Sequence, residues 1–283
     1  AENSEAEKKE LEEKMFRLYA FDYSKIPKGF YPIVPTDLSA ASPLSLKNDT
    51  AFEVNMDEIS EAAKGFEKEG ITEEPLVLIV HTHGTEGFSE IKNAYYNDEY
   101  NFPRSNDPSK NTVAVGKVLV EALNKKGIPA IQCEIMHDEE SYISAYDRSA
   151  ESIKHYLEKY PSIKYVFDVH RDSLIQSDMT KLRPVTIHKG KECAQIMMIV
   201  GTSEKSGIDY PWTDNLVLAE AIQKNLFEDT VGVARQIYLR GATYNQQYSK
   251  YGLLLEIGSC GNTLEETKNA ALAFADAFEK VIK

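Results

Sequence analysis

The chain has 283 residues, 42% of them hydrophobic, and a formal net charge of −13 at pH 7. This acidity argues against nucleic acid and anionic membrane surfaces as partners, because binding to either requires basic patches. The length and hydrophobic content suffice for one large α/β domain with a sizeable core and an appendage.

The N-terminal 70 residues are predicted to form that appendage, helical in part and irregular in part. Residues 1–17 mix Glu and Lys at helical spacing, which is typical of a solvated helix or a disordered lead-in. Residues 21–50 carry several prolines and a Ser/Asn-rich run, so irregular structure is predicted there. Residues 51–69 predict a short acidic helix. No segment approaches the roughly 20 apolar residues that span a bilayer.

Beyond residue 70 the sequence alternates apolar, strand-like runs with amphipathic helical segments. Strands are predicted at 76–80, 128–135, 165–169, 184–188, 195–201, 235–239 and 252–258. Helices are predicted near 112–125, 144–159, 213–228 and 263–282. The last begins with a capping box, TLEE at 263–266, and carries an apolar stripe that includes Phe274 and Phe278. This alternation predicts an α/β fold for residues 71–283, with a mostly parallel twisted sheet and helices on both faces.

Three of the predicted strands end in polar side chains. The sequence HTHGTE follows the first strand at 81–86, HRD follows another at 170–172, and Glu256 lies inside the apolar run LLLEIG. Ligands of such sheets bind outside the carboxyl ends of the strands. If these three strands are parallel neighbours, their polar groups converge on one edge of the sheet.

The residue types at these strand ends predict a zinc site. Catalytic zinc takes three protein ligands from neutral His and carboxylate and keeps one position for water. His83, Glu86 and His170 supply such a set, because the spacing His83-x-x-Glu86 lets one turn present a nitrogen and an oxygen to the same ion. Glu256 is then the candidate general base toward the water in the open position.

Two further histidines are candidates for the site. His81 lies two residues before His83, and in an extended chain both side chains face the same way. His81 is therefore either a ligand in place of His83 or a group that orients a ligand. His137 also follows a strand and is a candidate metal ligand, a group that orients a ligand, or a group on the substrate side, with a polar loop residue as the alternative.

Other chemistries find little support in the sequence. There is no G-x-S-x-G sequence, no glycine-rich phosphate loop and no His next to any of the three cysteines. A charged Glu inside an apolar strand is costly unless it is paired, so the alternative role for Glu256 is a buried ion pair with Arg171.

Seven segments of the chain resemble the stage II sporulation protein P (SpoIIP) family, the zinc-dependent cell-wall amidases of endospore-forming bacteria. Their order and spacing agree over roughly residues 70–283. They are HTHGTEGF at 81–88, SKNTVAVGKVLVEALNKKGI at 109–128, HDEESYISAYDRS at 137–149, FDVHRDS at 167–173, WTDNLVLAEAIQ at 212–223, TYNQQY at 243–248 and LLLEIGSCGNTLEE at 253–266.

The resemblance implies a fold like that of N-acetylmuramoyl-L-alanine amidases and zinc carboxypeptidases, with Zn²⁺ as cofactor and peptidoglycan as substrate. It implies cleavage of the amide between N-acetylmuramic acid and L-alanine and of peptide cross-links. In the carboxypeptidase pattern, His83, Glu86 and His170 take the ligand positions and Glu256 that of the base. The wider amidase family instead opens its site with DPGHGG, so the choice between His81 and His83, and direct ligation by Glu86, stay open.

The resemblance also implies a cellular setting and a partner. It implies an N-terminal membrane anchor upstream of this sequence, an extracytoplasmic location at the engulfing septal membrane, and work beside a SpoIID-type lytic transglycosylase. On the substrate side, Arg171 or Arg240 is expected to stabilise the oxyanion. Tyr244, Asn245 and Gln246 are expected to bind polar groups of glycan or peptide.

Two other functions fit the same residues. One is a zinc carboxypeptidase or deacylase that acts on small peptides or amino acid derivatives, which predicts a closed pocket and turnover of short soluble substrates. The other is an inactive peptidoglycan-binding module, which predicts tight binding without cleavage and no stoichiometric metal.

Overall fold

The computed structural model describes residues 2–68, 70–89, 94–97, 104–229 and 232–283. Its strands are β1 (Tyr31–Thr36), β2 (Leu46–Asn48), β3 (Val77–Val80), β4 (Tyr95–Tyr96), β5 (Ala130–Gln132), β6 (Tyr165–Asp172), β7 (Lys181–His188), β8 (Lys191–Ala194), β9 (Ile196–Gly201), β10 (Ile237–Arg240) and β11 (Tyr251–Ser259). Its helices are α1 (Glu2–Tyr19), α2 (Met56–Lys64), α3 (Thr112–Lys125), α4 (Ala145–Lys159), α5 (Trp212–Asp229) and α6 (Leu264–Ile282). No described helix is long and apolar enough to cross a membrane.

Seven strands form the central sheet in the order β2-β10-β9-β11-β6-β3-β5. Neighbouring strands run parallel except at β9 and β11, which pair antiparallel. The prediction of a mostly parallel α/β sheet is therefore confirmed. Strands β3, β6 and β11 are adjacent and parallel, so their carboxyl ends lie at the same edge of the sheet.

Helices cover both faces of this sheet, as predicted, but unequally. Helices α3, α5 and α6 bury the larger face, where Phe167 of β6 packs edge-to-face on Phe274 and Phe278 of α6 at ring separations of 5.4 and 5.1 Å. Helix α4 covers the smaller face, where Ile153 packs near Leu78 and Val80. The four helices predicted after residue 70 are confirmed.

Strands β4, β1, β7 and β8 form a second, four-stranded sheet in that order. The predicted strand at 184–188 is confirmed, but it lies in this sheet and not in the central one. Strand β8 follows it through a tight turn at Lys189 and Gly190, both with positive φ. Helix α1 lies against this sheet, where the Tyr19 hydroxyl donates to the Val185 carbonyl.

The prediction of irregular structure over 21–50 was wrong at two places, because β1 and β2 lie in that segment. Strand β2 pairs with β10 at the edge of the central sheet, and helix α2 packs against α5. Strand β1 contains two prolines, Pro32 opposite Tyr95 of β4 and Pro35 opposite Arg183 of β7. The division into an appendage over 1–70 and a domain over 71–283 stays a prediction, although these pairings join the two parts.

A buried ion pair ties the second sheet to the last helix. The Arg183 Nε donates to both carboxylate oxygens of Glu266 at 3.1 Å, and Asn262 Nδ2 donates to the same carboxylate at 2.8 Å. Glu266 also completes the predicted capping box with Thr263 at the start of α6. Both charged side chains are nearly inaccessible to water.

We expect Glu266→Ala to lower the free energy of unfolding by about 3–5 kcal/mol, because it leaves the Arg183 guanidinium buried without its main partner. Urea unfolding of the purified proteins measures this loss. The exposed neighbour Glu265 is the matched control, and Glu265→Ala should cost less than about 1 kcal/mol. Equal losses in the two variants would contradict a structural role for the buried pair.

Candidate metal and catalytic site

The polar ends of β3, β6 and β11 meet at one edge of the central sheet. After β3 the chain makes a tight turn in which the Glu86 N–H donates to the His83 carbonyl at 3.1 Å. Gly84 lies in this turn, and a Cβ there would meet the backbone of Met136 at 2.7 Å, so no larger residue fits. The turn brings the side chains of His83 and Glu86 to His170 at the end of β6.

Three of the predicted ligands lie close together. The His83 and His170 rings are 5.3 Å apart between centroids and nearly perpendicular. The His170 Nδ1 lies 3.5 Å from Glu86 Oε2, which also accepts the Arg171 N–H at 3.0 Å. All three ligand candidates are buried. The structure brings these side chains together at one edge of the sheet, and their role as ligands stays a prediction.

Burial and neighbouring charges act against each other on these groups. Burial alone would lower the pKa of His170, but the adjacent carboxylates of Asp168 and Glu86 outweigh it and raise the pKa well above 6.5. Burial would raise the pKa of Glu86, and His170 with Arg171 lowers it below its ordinary value. A site with this balance of charges holds Glu86 as a carboxylate.

Glu256 lies on β11 directly beside His170 in the strand register. Burial, followed by the negative charge of Asp172 and Glu86, raises the pKa of this carboxyl to about 8. Its Oε2 is buried without a hydrogen-bond partner in the described part of the chain. Such an unpaired carboxyl does not support the alternative of a buried ion pair with Arg171, whose Nε donates to the Gly87 carbonyl.

The donor set suits a zinc ion, although it is not fully assembled. No group of three or more His, Cys, Asp or Glu side chains among the described residues is already positioned to hold a metal ion. Among the described residues, Glu256 Oε2 is buried without a hydrogen-bond partner. One nitrogen of each histidine faces a buried aspartate, His83 Nδ1 toward Asp138 and His170 Nε2 toward Asp168, so the other nitrogen of each ring is the candidate donor to a metal. Imidazole and carboxylate are the ligand types that zinc selects. The two imidazoles and two carboxyls at this edge of the sheet therefore fit zinc, provided that their side chains change rotamer to coordinate it.

Three tyrosines form a rim around this cluster. Tyr142 stacks on the His83 ring at 4.2 Å, and it is 60% exposed. Tyr146 lies edge-on to His83 at 5.6 Å and 5.9 Å from Tyr244. Of the three, only Tyr244 was predicted to face substrate. The segment YISAY at 142–146 gives no signal of this position, because only the start of α4 brings its two tyrosines over the histidines.

The two alternative histidines lie outside the cluster. His81 is fully buried, with Nδ1 3.3 Å from the Val169 carbonyl and Nε2 2.9 Å from the Gln132 amide. A Cβ on Gly116 of α3 would meet this ring at 2.5 Å, so His81 packs tightly under the helix. His137 uses its nitrogens on the His81 carbonyl and the Ser152 hydroxyl. Both rings are therefore engaged inside the protein, and the geometry favours His83 as the ligand.

The predicted substrate-side residues differ in whether their side chains are already engaged by hydrogen bonds within the protein. Asn245 Nδ2 donates to Tyr146 O and Ser149 Oγ, and Gln246 bonds to the backbone at Gly201 and Ile199. These contacts do not favour substrate binding by either amide. The Arg171 side chain is buried, whereas Arg240 lies beside Tyr244 at the rim. Their roles stay predictions.

A family model described as Stage II sporulation protein P (SpoIIP) matches residues 34–279. Stage II sporulation protein P of Bacillus subtilis (strain 168) is 29% identical over 265 residues, which is 87% of this chain and 63% of that protein. The chain thus spans less than two thirds of the length of this relative.

Among solved structures, the chain is similar to the CwlD amidase from Clostridioides difficile in complex with the GerS lipoprotein, with a TM-score of 0.44, 13% identity, and coverage of 73% of this chain and 98% of that chain. It is also similar to the catalytic domain of CwlV, an N-acetylmuramoyl-L-alanine amidase from Bacillus (Paenibacillus) polymyxa var. colistinus, with a TM-score of 0.43, 12% identity, and coverage of 73% and 97%. Scores this low say nothing about the residues of the site.

Proposed function

Because the chain belongs to the stage II sporulation protein P family, we propose that it is a peptidoglycan hydrolase that acts in sporulation. The observation that carries this proposal is the carboxyl of Glu256, whose Oε2 is buried without a hydrogen-bond partner among the described residues, beside His170 and near Glu86 at one edge of the sheet. A buried acid without a partner costs free energy, and such a cost is typical of groups kept for chemistry.

We further propose that the enzyme depends on zinc and that His83, Glu86 and His170 hold the ion. The support is the convergence of these side chains and the engagement of His81 and His137 elsewhere. When bound, zinc lowers the pKa of a coordinated water and polarises the carbonyl of the amide that is cleaved. The carboxyl ends of strands are where such a site is expected in this class of sheet.

In this proposal Glu256 moves the proton. A carboxyl with a pKa near 8 can take up and release a proton near neutral pH, so it can accept one from water and return it to the departing amide nitrogen. The Tyr146 and Tyr244 rings lie at the rim, where they can exclude bulk water and contact a sugar or peptide. Arg240 beside Tyr244 is the candidate cation for the developing oxyanion.

The proposed reactions are hydrolyses of two kinds of amide. One adds water across the bond between the lactyl group of N-acetylmuramic acid and L-alanine, and the other opens peptide cross-links. We propose that both reactions occur outside the cytoplasm during engulfment. The full-length protein is held at the membrane by an anchor, and it works beside a SpoIID-type lytic transglycosylase. The family membership supports this setting.

Digestion of purified sacculi, with mass spectrometry of the products and metal analysis of the protein, tests the proposal. We expect one zinc per chain and the release of stem peptides that begin with a free L-alanine amine. New free amines at former cross-links would support the endopeptidase activity. Binding to sacculi without cleavage, or turnover of short soluble peptides alone, would contradict the proposal in favour of the two alternatives.

A further inference from the structure

Asp138 is buried directly behind the turn that carries His83. Its Oδ1 accepts the Thr85 N–H at 3.0 Å, and its Oδ2 accepts the Thr85 hydroxyl at 2.7 Å and Arg104 Nη1 at 2.6 Å. The carboxylate itself is wholly inaccessible to water. Three donors and full burial fix this carboxylate in one position.

The Oδ2 atom of Asp138, which accepts from Thr85 and Arg104, also faces the His83 ring. Asp138 Oδ2 lies 3.6 Å from His83 Nδ1, which is buried and has no hydrogen-bond partner among the described residues. Tyr142 stacks on the ring with planes only 4° apart, and the Arg104 guanidinium lies 5.0 Å from the Tyr142 ring centre. The stacked Tyr142 ring covers one face of the imidazole, and the edge of the imidazole that carries Nδ1 faces Asp138.

His170 also has a buried aspartate, Asp168, beside one of its ring nitrogens. Asp168 accepts the Thr82 N–H at 2.9 Å and the Thr82 hydroxyl at 2.5 Å, and its Oδ2 lies 3.1 Å from His170 Nε2. Each histidine thus has a buried aspartate behind one ring nitrogen, and a threonine of the HTHGTE turn holds each aspartate with its N–H and its hydroxyl. The opposite nitrogens, His83 Nε2 and His170 Nδ1, are left for the site.

We propose that Asp138 is a positioning residue, which accepts the Nδ1 proton of His83 and so presents Nε2 of that ring to the metal. This inference rests on the proposed function, because it needs His83 to be a ligand. A carboxylate behind a ligating imidazole fixes its tautomer and raises its basicity, and losing it typically weakens metal binding by about 10–100-fold. Asp138 itself touches neither metal nor substrate.

Zinc affinity of the Asp138→Asn variant tests this proposal. The amide has one oxygen where the carboxylate has two, so it cannot serve Arg104, Thr85 and the His83 N–H together. We expect about 10–100-fold weaker zinc binding by the folded variant, measured in competition with a chromophoric chelator below its unfolding transition. The urea midpoint of the metal-free variant should fall, because one of the buried donors loses its acceptor. Glu139→Gln, at an exposed neighbour that carries the same charge, is the control and should bind zinc as the unaltered protein does.

A second measurement does not depend on how the variant folds. Nitrogen-15 NMR of the metal-free, unaltered protein at pH 8 reports which nitrogen of His83 carries the proton. We expect the proton on Nδ1, and a proton on Nε2 would overturn the proposal. Equal zinc affinity of the Asp138→Asn variant would also overturn it and leave the proposed function standing. If the unaltered protein bound no zinc, the proposed function would fail with it.

Discussion

The Glu256→Gln variant is expected to cleave sacculi about 10²–10⁴-fold more slowly than the unaltered protein, because the amide can neither accept a proton from water nor return one to the leaving nitrogen. The change removes no other described contact of the side chain, since Oε2 has no hydrogen-bond partner in the part of the chain that the structure describes. The rate is measured by release of stem peptides from labelled sacculi.

The controls for this variant separate chemistry from structure. Its zinc content should stay at one per chain, and its urea midpoint should not fall, because an uncharged group replaces a buried carboxyl. The control is Glu265→Gln, at an exposed position in the first turn of α6. It should cleave sacculi at the normal rate. A Glu256→Gln variant with full activity and bound zinc would remove Glu256 from the mechanism.

The His83→Ala variant is expected to lose more than about 100-fold in zinc affinity and, with it, cleavage of sacculi, because a direct ligand matters more than the residue that orients it. The His81→Asn variant is the contrast. An amide near the position of His81 Nδ1 keeps a donor for the Val169 carbonyl, whose distance from that nitrogen is 3.3 Å. We expect this variant to keep one zinc per chain. Its free energy of unfolding should fall by about 1–3 kcal/mol, because the Gln132 amide loses its hydrogen-bond partner, His81 Nε2.

This pair of variants decides between the two histidines that the sequence leaves open. Competition with a chelator measures zinc affinity, and urea unfolding of the metal-free proteins measures stability. The reverse pattern, with zinc lost in His81→Asn and kept in His83→Ala, would make His81 the ligand. It would also require the buried His81 ring to give up its contacts with the Val169 carbonyl and the Gln132 amide.

Much of the central fold follows from local sequence signals. Helix α6 begins where the capping box predicts it and carries the predicted apolar stripe, with Phe274 and Phe278 in the core. The helices near 112–125 and 213–228 are equally well marked by their periodicity. The strands at 76–80, 165–169 and 252–258 have apolar runs long enough to be recognised. Their adjacency, on which the site depends, stayed a condition in the sequence and comes from the structure.

Elements that depend on distant partners were missed. Strand β2 has only three residues, and its pairing with β10, 191 positions away, leaves no periodic signal in the sequence. The turn of the HTHGTE segment also overrides the extended chain that would place His81 and His83 on one side. The supports of the site, Asp138 and Tyr142, reach His83 through tertiary contacts that no spacing of residues encodes.

Anomalous diffraction at the zinc edge, from crystals of the protein grown with zinc, tests the central claim most directly. We expect one strong peak within about 2.0–2.2 Å of a nitrogen of His83, an oxygen of Glu86 and a nitrogen of His170, with Glu256 beside it but not bound. A structure without a peak among these three side chains, or with the ion held by other residues, would contradict the account.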